Sequence, residues 1–368
     1  MPIQREQILA VLKTVKDPEL GRDIVSLGML RDFSVEGDHV FIEVTLTTPA
    51  CPLKDKITED IRLALRGSLP QVKEVTVTFG ADVKAGRALG IAPGGGTAPG
   101  RLGKVRNVIA VGSGKGGVGK STVAVNLALA LKQEGARVGL LDADIYGPSI
   151  PILCGVPEGE KPKLKNEKTI VPIERFGLPL MSMGFLIGGD EAVVWRGPML
   201  AKMIQQFLEQ VDWGDLDYLV CDLPPGTGDV QLTLSQLIPL SGAVVVTTPQ
   251  DVALVDVRRA IKMFRMTNVP ILGLVENMSG FVCSHCQHST PVFGGSTDKD
   301  RYAKLELPLL GSLPLELETR VAGDAGVPVV EKDPKSPQSE RFRAIARQVA
   351  AALSVVNFQK DLELPSLH

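Results

Sequence analysis

A glycine-rich loop placed between an apolar run and a helical segment constrains the fold of this chain more than any other feature. The loop GSGKGGVGKST (112–122) follows the apolar run VRNVIAVG (105–112), and residues 114–121 match the pattern G-x-x-x-x-G-K-[ST]. Glycines let backbone N–H groups approach phosphates closely, and a helix N-terminus adds partial positive charge. The sequence therefore predicts a strand–loop–helix phosphate site formed by Gly114, Lys115, Gly116, Gly117, Val118, Gly119, Lys120, Ser121 and Thr122.

Further short apolar runs alternate with helical segments along the rest of the chain. The runs are nearly continuous rather than alternating, as in parallel strands covered on both faces; they are 137–142, 218–222, 242–248 and 271–277. The intervening segments with helical patterns are 120–134, 197–211, 229–239, 251–266 and 336–354. This order predicts an α/β fold with a doubly wound, mostly parallel sheet, whose ligand binds at the carboxyl ends of the strands.

The N-terminal part has a different pattern. Residues 39–48 alternate between apolar and polar side chains, which is typical of a half-buried strand. Together with a second strand at 72–79 and helices at 3–15 and 54–67, this strand predicts a small α+β domain.

A Gly- and Pro-rich stretch separates the two patterns and has linker composition. We therefore expect a small α+β domain at 1–87, a flexible linker at 88–104, a nucleotide-binding domain at 105–357 and a tail at 358–368.

Composition indicates the compartment in which the protein works and the classes of partner that it lacks. The formal net charge is −2, which argues against a broad basic surface for nucleic acid. No stretch reaches the roughly 20 apolar residues of a membrane-spanning helix, and the charged N-terminus does not resemble a signal peptide. The five cysteines do not form a disulfide framework. We expect a cytoplasmic protein without nucleic-acid or membrane partners.

Acidic residues follow two of the apolar runs. Asp142 and Asp144 come at the end of one run and Asp222 at the end of another, close to the phosphate loop in a parallel sheet. Carboxylates there could hold a Mg²⁺ ion and orient an attacking water, while Ser121 offers a hydroxyl to the metal and Lys120 reaches the β- and γ-phosphates. Each acid alone could instead cap a helix or a turn.

The segment GFVCSHCQHST (280–290) places two cysteines and two histidines within six positions. Cys283 and Cys286 could bind zinc together with His285 or His288. They could also form a redox pair. Alternatively, they are half of a four-thiolate [4Fe–4S] site whose other half comes from a two-fold related chain.

The loop motif K-G-G-x-G-K-S resembles the deviant Walker A motif of the MinD and nitrogenase-iron-protein ATPases. With the segment NMSGFVCSHC (277–286), the sequence resembles the Mrp/ApbC family of iron–sulfur cluster carrier ATPases over about residues 104–355. The resemblance implies a homodimer in which Lys115 reaches the nucleotide of the partner subunit. It also implies that Asp222 is the Walker B residue, that Asp144 orients water and that Asp142 supports the Mg²⁺ site, although the roles of Asp142 and Asp144 could be exchanged.

The same resemblance places the base of the nucleotide. Asn277 corresponds to a residue that reads adenine, and Pro314 corresponds to a residue near the base. No [NT]-K-x-D segment follows the later strands, so ATP is expected rather than GTP. Residues 222–229 would form the switch that senses the γ-phosphate.

The N-terminal segment TLTTPACPLKDKI (45–57) resembles the signature of a small Fe–S assembly domain. The resemblance implies a transient metal or cluster contact for Cys51, which precedes a predicted helix. A thiol at a helix N-terminus would have a stabilised thiolate.

Together these features predict a homodimeric ATP hydrolase that uses Lys115, Lys120 and Asp144, with Ser121, Asp142 and Asp222 at Mg²⁺. Its [4Fe–4S] cluster would bridge Cys283 and Cys286 of two subunits, arriving from scaffold proteins and passing to apo Fe–S proteins. Two alternatives stay open at this point: a MinD- or ParA-like spatial-positioning ATPase, and a zinc-stabilised ATPase without a cluster.

Overall fold

The computed structural model describes residues 3–85, 102, 104–166, 168–186, 197–283, 285–286, 288–293, 302 and 304–363. The predicted linker at 88–104 lies almost entirely outside the described residues, as does the end of the predicted tail. The chain divides into two compact units, one formed by Met1–Lys84 and Ala350–His368 and the other by Ala85–Val349.

The first unit contains a three-stranded sheet and two helices before the linker. Its elements are α1 (Arg5–Leu12), β1 (Leu30–Glu36), β2 (His39–Leu46), α2 (Lys54–Ser68) and β3 (Glu74–Ala81). Strand β2 is central, antiparallel to β1 and parallel to β3. The sequence did not predict β1, because its segment LRDFSVE lacks a continuous apolar face.

The alternation predicted for 39–48 is confirmed in β2, where every second side chain is buried. The buried side chains pack on one face of α2, which contributes Ile57, Ile61 and Leu65 at helical spacing. This packing gives the first unit a core of its own.

In the described residues, the second unit is built on a nine-stranded sheet. Its strands are β4 (Lys104–Ser113), β5 (Val138–Asp142), β8 (Ile173–Arg175), β9 (Leu178–Ser182), β10 (Asp215–Asp222), β11 (Gly242–Thr247), β12 (Ile271–Val282), β13 (Ser289–Thr290) and β14 (Leu309–Leu315). Their order is β13-β12-β11-β4-β10-β5-β9-β8, and β14 also pairs with β12. Among the described pairs of this sheet, β8–β9 and β12–β13 are antiparallel and the others are parallel. A separate pair consists of β6 (Lys163–Leu164) and β7 (Ile170–Val171).

Helices follow most of the parallel strands. They are α3 (Lys120–Gln133), α4 (Ile150–Leu153), α5 (Gly197–Gln210), α6 (Asp229–Leu237), α7 (Asp251–Met266), α8 (Leu317–Asp324), α9 (Val329–Lys332) and α10 (Pro337–Glu363), with a 3₁₀ turn at Met183–Phe185. The α/β, mostly parallel fold predicted from the sequence is confirmed. No helix in the described part of the chain has the length and apolarity needed to cross a membrane.

The order of the strands fixes the position of the site. Strand β4 lies between β10 and β11, so its carboxyl end is where the chain crosses to opposite sides of the sheet. The phosphate loop leaves β4 at this point, and Asp142 and Asp222 end the two strands β5 and β10 on one side of it.

Two differences from the sequence-based strands bear on the site. The strand predicted at 271–277 continues to Val282 and so ends beside Cys283. The strand β14 was not predicted, because LLGSLPL contains glycine, serine and proline, and proline is disfavoured within sheets. It pairs with β12 from Leu274 to Phe281, and the register shifts once after Leu274 and again between Asn277 and Phe281.

Candidate functional site

The phosphate loop requires glycine at two positions. Gly117 and Gly119 both have φ of 78°, in the left-handed region that only glycine adopts at no steric cost. Gly119 is also the N-cap of α3, so the loop ends where the helix exposes its unpaired N–H groups. Val118 between them is buried, which holds the loop against the domain.

Asn277 contacts the same loop from β12. Its Nδ2 donates a hydrogen bond to the carbonyl oxygen of Val118 at 2.9 Å. A Cβ at Gly119 would lie 2.3 Å from Asn277 Nδ2, so the approach is possible only with glycine there. Asn277 is paired in register with Leu313 of β14, which places Pro314 on the neighbouring strand. The two residues assigned to the base therefore lie on adjacent strands.

Lys120 lies in a buried cluster of carboxylates. Its Nζ is 2.6 Å from Asp222 Oδ1 and 3.5 Å from Asp144 Oδ2, and it donates to Ser121 Oγ at 3.3 Å. The side chain of Lys120 is 6% exposed and that of Asp222 is fully buried. Asp222 Oδ2 has no hydrogen-bond partner among the described residues. Burial raises the pKa of Asp222, and Lys120 opposes the rise.

Asp142 has a different environment from Asp222. Its Oδ1 accepts the backbone N–H of Asp144 at 3.1 Å, and its Oδ2 accepts the N–H of Ile150 at 3.3 Å and the hydroxyl of Ser182 at 2.9 Å. Burial, with the charge of Asp222 as the next cause, raises the pKa of Asp142 to about 8. Asp142 thus organises the loop that carries Asp144, and any role at Mg²⁺ would come in addition to these bonds.

The predicted switch segment is tied to the phosphate loop. The backbone N–H of Leu223 donates to Val111 at 3.0 Å, and that of Gly226 donates to Ser113 at 3.0 Å. Gly226 has φ of 96°, a conformation that suits glycine. A rearrangement of this segment would therefore be transmitted to the end of β4.

Lys115, the second lysine of the loop, points to another partner. Its Nζ donates to Gln250 Oε1 at 3.2 Å, at the start of α7. Its carbonyl oxygen accepts the hydroxyl of Ser113 at 2.9 Å. Sequence reasoning missed Gln250 and also Ser182, because neither belongs to a motif; only the fold brings Gln250 to Lys115 and Ser182 to Asp142.

The cysteine pair lies just beyond the end of β12. The N–H of Cys283 donates to the carbonyl oxygen of His288 at 3.0 Å, which closes a hairpin with β13. Cys283 is half-buried, whereas Cys286, His285 and His288 are exposed. Hydrogen bonds from the backbone of Cys286 and His285 lower the pKa of the Cys283 thiol. Within the residues that the structure describes, no three His, Cys, Asp or Glu side chains gather closely enough to hold a metal ion.

Cys51 does not have the stabilised thiolate that its sequence position predicted. Helix α2 begins only at Lys54, and the Cys51 side chain is 9% exposed. Burial raises the pKa of Cys51 to about 11, which outweighs the hydrogen bond from the backbone of Leu53. Cys154 and Cys221 are also buried free thiols.

Comparisons with known proteins agree with this geometry. The model of the NUBPL iron-transfer P-loop NTPase family matches residues 104–350, and that of an iron–sulfur cluster assembly protein family matches residues 5–79. An iron–sulfur cluster carrier protein of Synechocystis is 47% identical over 356 residues, which cover 95% of this chain and 98% of that protein.

Solved structures agree at the level of the fold. A nucleotide-binding protein of Archaeoglobus fulgidus, in complex with ADP, is 39% identical with a TM-score of 0.57, covering 66% of this chain and 94% of that one. The cell division ATPase MinD of Pyrococcus furiosus is 23% identical with a TM-score of 0.50, covering 66% and 98%, and shares the fold. The chain belongs to the family of NUBPL and Mrp/ApbC iron-transfer P-loop NTPases, with an N-terminal domain of the iron–sulfur cluster assembly type.

Proposed function

We propose that this protein is an ATP-dependent carrier of [4Fe–4S] clusters that works as a homodimer in the cytoplasm. Each subunit would bind and hydrolyse ATP, and a cluster bridging two subunits would be taken from scaffold proteins and given to apo Fe–S proteins. The observation that carries the proposal is the course of β12, which runs from Asn277 at the phosphate loop directly to Cys283. One strand thus joins the nucleotide site to the thiols.

The buried charges fit a magnesium ion. Asp144 and Asp222 both contact the ammonium group of Lys120, so two negative charges would face one positive charge when both carboxylates are ionised. The fully buried Asp142 lies opposite Asp222 at the end of the neighbouring strand. Asp222 Oδ2 is buried and has no hydrogen-bond partner within the described part of the chain, which is unusual for a carboxylate oxygen. Ser121 and Asp222 would hold Mg²⁺, and Asp142 would support them by fixing the loop. The metal would neutralise charge that develops on the phosphates.

Hydrolysis would use the side chains that line this cluster. Lys120 would contact the phosphates, and Asp144 would orient the attacking water, since its Oδ2 lies beside Lys120. Asp144 accepts one backbone hydrogen bond, from Tyr146, whereas Asp142 accepts three hydrogen bonds. Asn277 and Pro314 would lie against adenine. Asn277 donates one Nδ2 hydrogen to Val118, and its amide has a second N–H and the Oδ1 oxygen with which it would contact the base.

Two thiols make only half of a cluster site. A [4Fe–4S] cluster normally has four thiolate ligands, and a two-fold axis beside Cys283 and Cys286 would supply the other two from the second copy. The lowered pKa of Cys283 favours the thiolate that iron binds. The exposure of Cys286 leaves the pair accessible to a donor or a recipient. These properties suit a cluster that must be released.

The dimer is also supported by Lys115. Its ammonium group contacts Gln250 rather than the carboxylates around Lys120, so it is free to serve a phosphate outside its own cluster. In a two-fold dimer that phosphate would belong to the nucleotide of the partner. Hydrolysis of the nucleotide and binding of the cluster would then both require the same homodimer.

Anaerobic reconstitution of the full chain with ferrous iron and sulfide tests the proposal. Iron, sulfide and zinc are measured by chemical analysis, and the assembly state is measured by sedimentation. We expect a brown dimer absorbing near ~400 nm with about four iron atoms per two chains. Replacing Cys283 and Cys286 with Ser should abolish the chromophore.

The matched control is Cys154→Ala, which removes a buried thiol from the same unit and should leave the iron content unchanged. A chromophore that survives in the double-cysteine variant would contradict the bridging site. Stoichiometric zinc in place of iron would instead support the zinc-stabilised ATPase, and ATP hydrolysis without either metal would leave a positioning ATPase as the better account.

A further inference from the structure

The contact between Lys115 and Gln250 separates the two lysines of the phosphate loop. Lys120 Nζ contacts Asp222 at 2.6 Å within the buried cluster, whereas Lys115 Nζ donates to Gln250 Oε1 at 3.2 Å. The two residues lie 135 positions apart in the chain, so only the fold brings them together. Gln250 therefore determines where the Lys115 side chain points.

Gln250 has a fixed position. It is the N-cap of α7 in extended conformation, and its side chain makes no capping bond, which leaves the amide oxygen available to Lys115. Helix α7 is in turn packed against the start of the phosphate loop: a Cβ at Gly114 would lie 2.3 Å from the carbonyl carbon of Asp256. The phosphate loop and α7 are therefore in close contact near Lys115 and Gln250.

The partner that Lys115 contacts is uncharged. Asp256, on the same helix, is paired with Arg259 at 3.1 Å. The acceptor of Lys115 is therefore a neutral amide oxygen, whose hydrogen bond to an ammonium group is weaker than that of a carboxylate. Such a bond can orient the lysine and is still weak enough to break when the lysine moves.

We propose that Gln250 is a positioning residue that restrains Lys115 within its own subunit and sets how readily the lysine transfers to the nucleotide of a partner subunit. This inference rests on the proposed ATP-dependent homodimer. Transfer of Lys115 to the partner's nucleotide must break its hydrogen bond to Gln250. A stronger bond therefore opposes formation of the dimer in which Lys115 contacts that nucleotide.

Two substitutions of Gln250 should act in opposite directions. Gln250→Ala removes the restraint, so the competent dimer should form at a protein concentration about fivefold lower than for the wild type. Gln250→Glu replaces the amide by a carboxylate of nearly the same shape and should raise that concentration by about fivefold or more. If Gln250 only supported the fold, both substitutions would weaken the dimer.

The experiment measures dimerisation of the full chain by sedimentation with Mg²⁺ and the non-hydrolysable analogue AMPPNP, together with ATP hydrolysis per chain over a range of protein concentrations. Each Gln250 variant is also made in a Lys115→Ala background, where its effect on the dimer dissociation constant should disappear. Gln205→Ala is the matched control, because Gln205 is exposed on α5 and bonded only to Glu209 in the described structure.

The outcomes separate this inference from the proposed function. If the wild type does not dimerise with nucleotide, or Lys115→Ala has no effect on the dimer, the proposed assembly is wrong. If the wild type behaves as proposed but both Gln250 variants match it, or both shift in the same direction, Gln250 does not restrain Lys115. Effects of the Gln250 variants that persist in the Lys115→Ala background would equally overturn the inference.

Discussion

Lys120 Nζ and Asp222 Oδ1 lie 2.6 Å apart in the interior of the second unit, at the carboxyl ends of β4 and β10. The ammonium group that the loop motif directs at phosphate is thus shared with the carboxylate assigned to magnesium. Removing one partner of a buried ion pair leaves the other charge uncompensated. This relationship makes the pair a structural element as well as a part of the proposed nucleotide site.

Asp222→Ala should therefore destabilise the protein and abolish hydrolysis of Mg·ATP. We expect the free energy of unfolding to fall by about 3 kcal/mol, because Lys120 loses its closest carboxylate and keeps Asp144 at 3.5 Å and the hydroxyl of Ser121 at 3.3 Å. Urea denaturation of the full chain measures the change. Asp212→Asn is the control, since the Lys165–Asp212 pair is exposed and should matter by less than about 0.5 kcal/mol. Equal stability of Asp222→Ala and the wild type would contradict the prediction.

The five thiols should differ sharply in reactivity. Cys283 is half-buried with a lowered pKa and Cys286 is exposed, whereas burial raises the pKa of Cys51 to about 11 and that of Cys154 to about 12. Since the thiolate is the reactive form, iodoacetamide at neutral pH should modify the first two at least about tenfold faster than the buried thiols. Mass spectrometry of the reduced protein over time resolves each site. Fast labelling of Cys51 would show that the thiol is accessible as a thiolate after all.

Glu19 should make the stability of the first unit depend on pH. Burial, with the charge of Asp17 as the second cause, raises its pKa from 4.5 to about 7. Between these pH values the folded protein holds a proton that the unfolded chain has lost, so the free energy of unfolding falls as pH rises through the window and levels off above it.

Glu19→Gln should remove this dependence. The variant should match the wild type below the window and exceed it by about 1–2 kcal/mol above pH 7, a figure reduced for the partial exposure of the side chain. Urea denaturation over a pH series measures the difference. Glu59→Gln, at an exposed position of the same unit, controls for the change in net charge. A difference that does not vary with pH would count against the raised pKa of Glu19.

Gly119→Ala should damage both the loop and its contact with Asn277. The left-handed backbone costs about 1–2 kcal/mol for alanine, and the new Cβ would meet Asn277 Nδ2 at 2.3 Å. We expect a lower free energy of unfolding and at least about tenfold weaker ATP binding, measured by urea denaturation and calorimetric titration.

A second substitution checks the cause. Combining Gly119→Ala with Asn277→Ala should recover part of the lost stability, because the clash is removed while the backbone strain stays. Gly116→Ala is the control for stability, since its nearest neighbour, Pro225, is 4.0 Å from the added Cβ. No recovery in the double variant would place the damage in the backbone alone.

The sequence by itself was sufficient for the elements whose pattern is local. The phosphate loop, α3 and the strands β4, β5, β10, β11 and β12 follow from glycine spacing and from apolar runs, which report backbone conformation and burial over a few residues. The alternation of apolar and polar residues predicted β2 for the same reason. In contrast, β14 was missed because its stability comes from pairing with β12 and not from its own residues.

The tertiary structure decided what each functional side chain contacts. Asn277 reaches Val118 across 159 positions, Lys120 reaches Asp222 across 102, and Lys115 reaches Gln250 across 135. The same holds for the thiols. A helix N-terminus near Cys51 predicted a lowered thiol pKa, but burial raises that pKa instead. Local sequence encodes backbone geometry, whereas pKa values and ion pairs depend on the surroundings that the whole chain supplies, so only the folded structure could determine them.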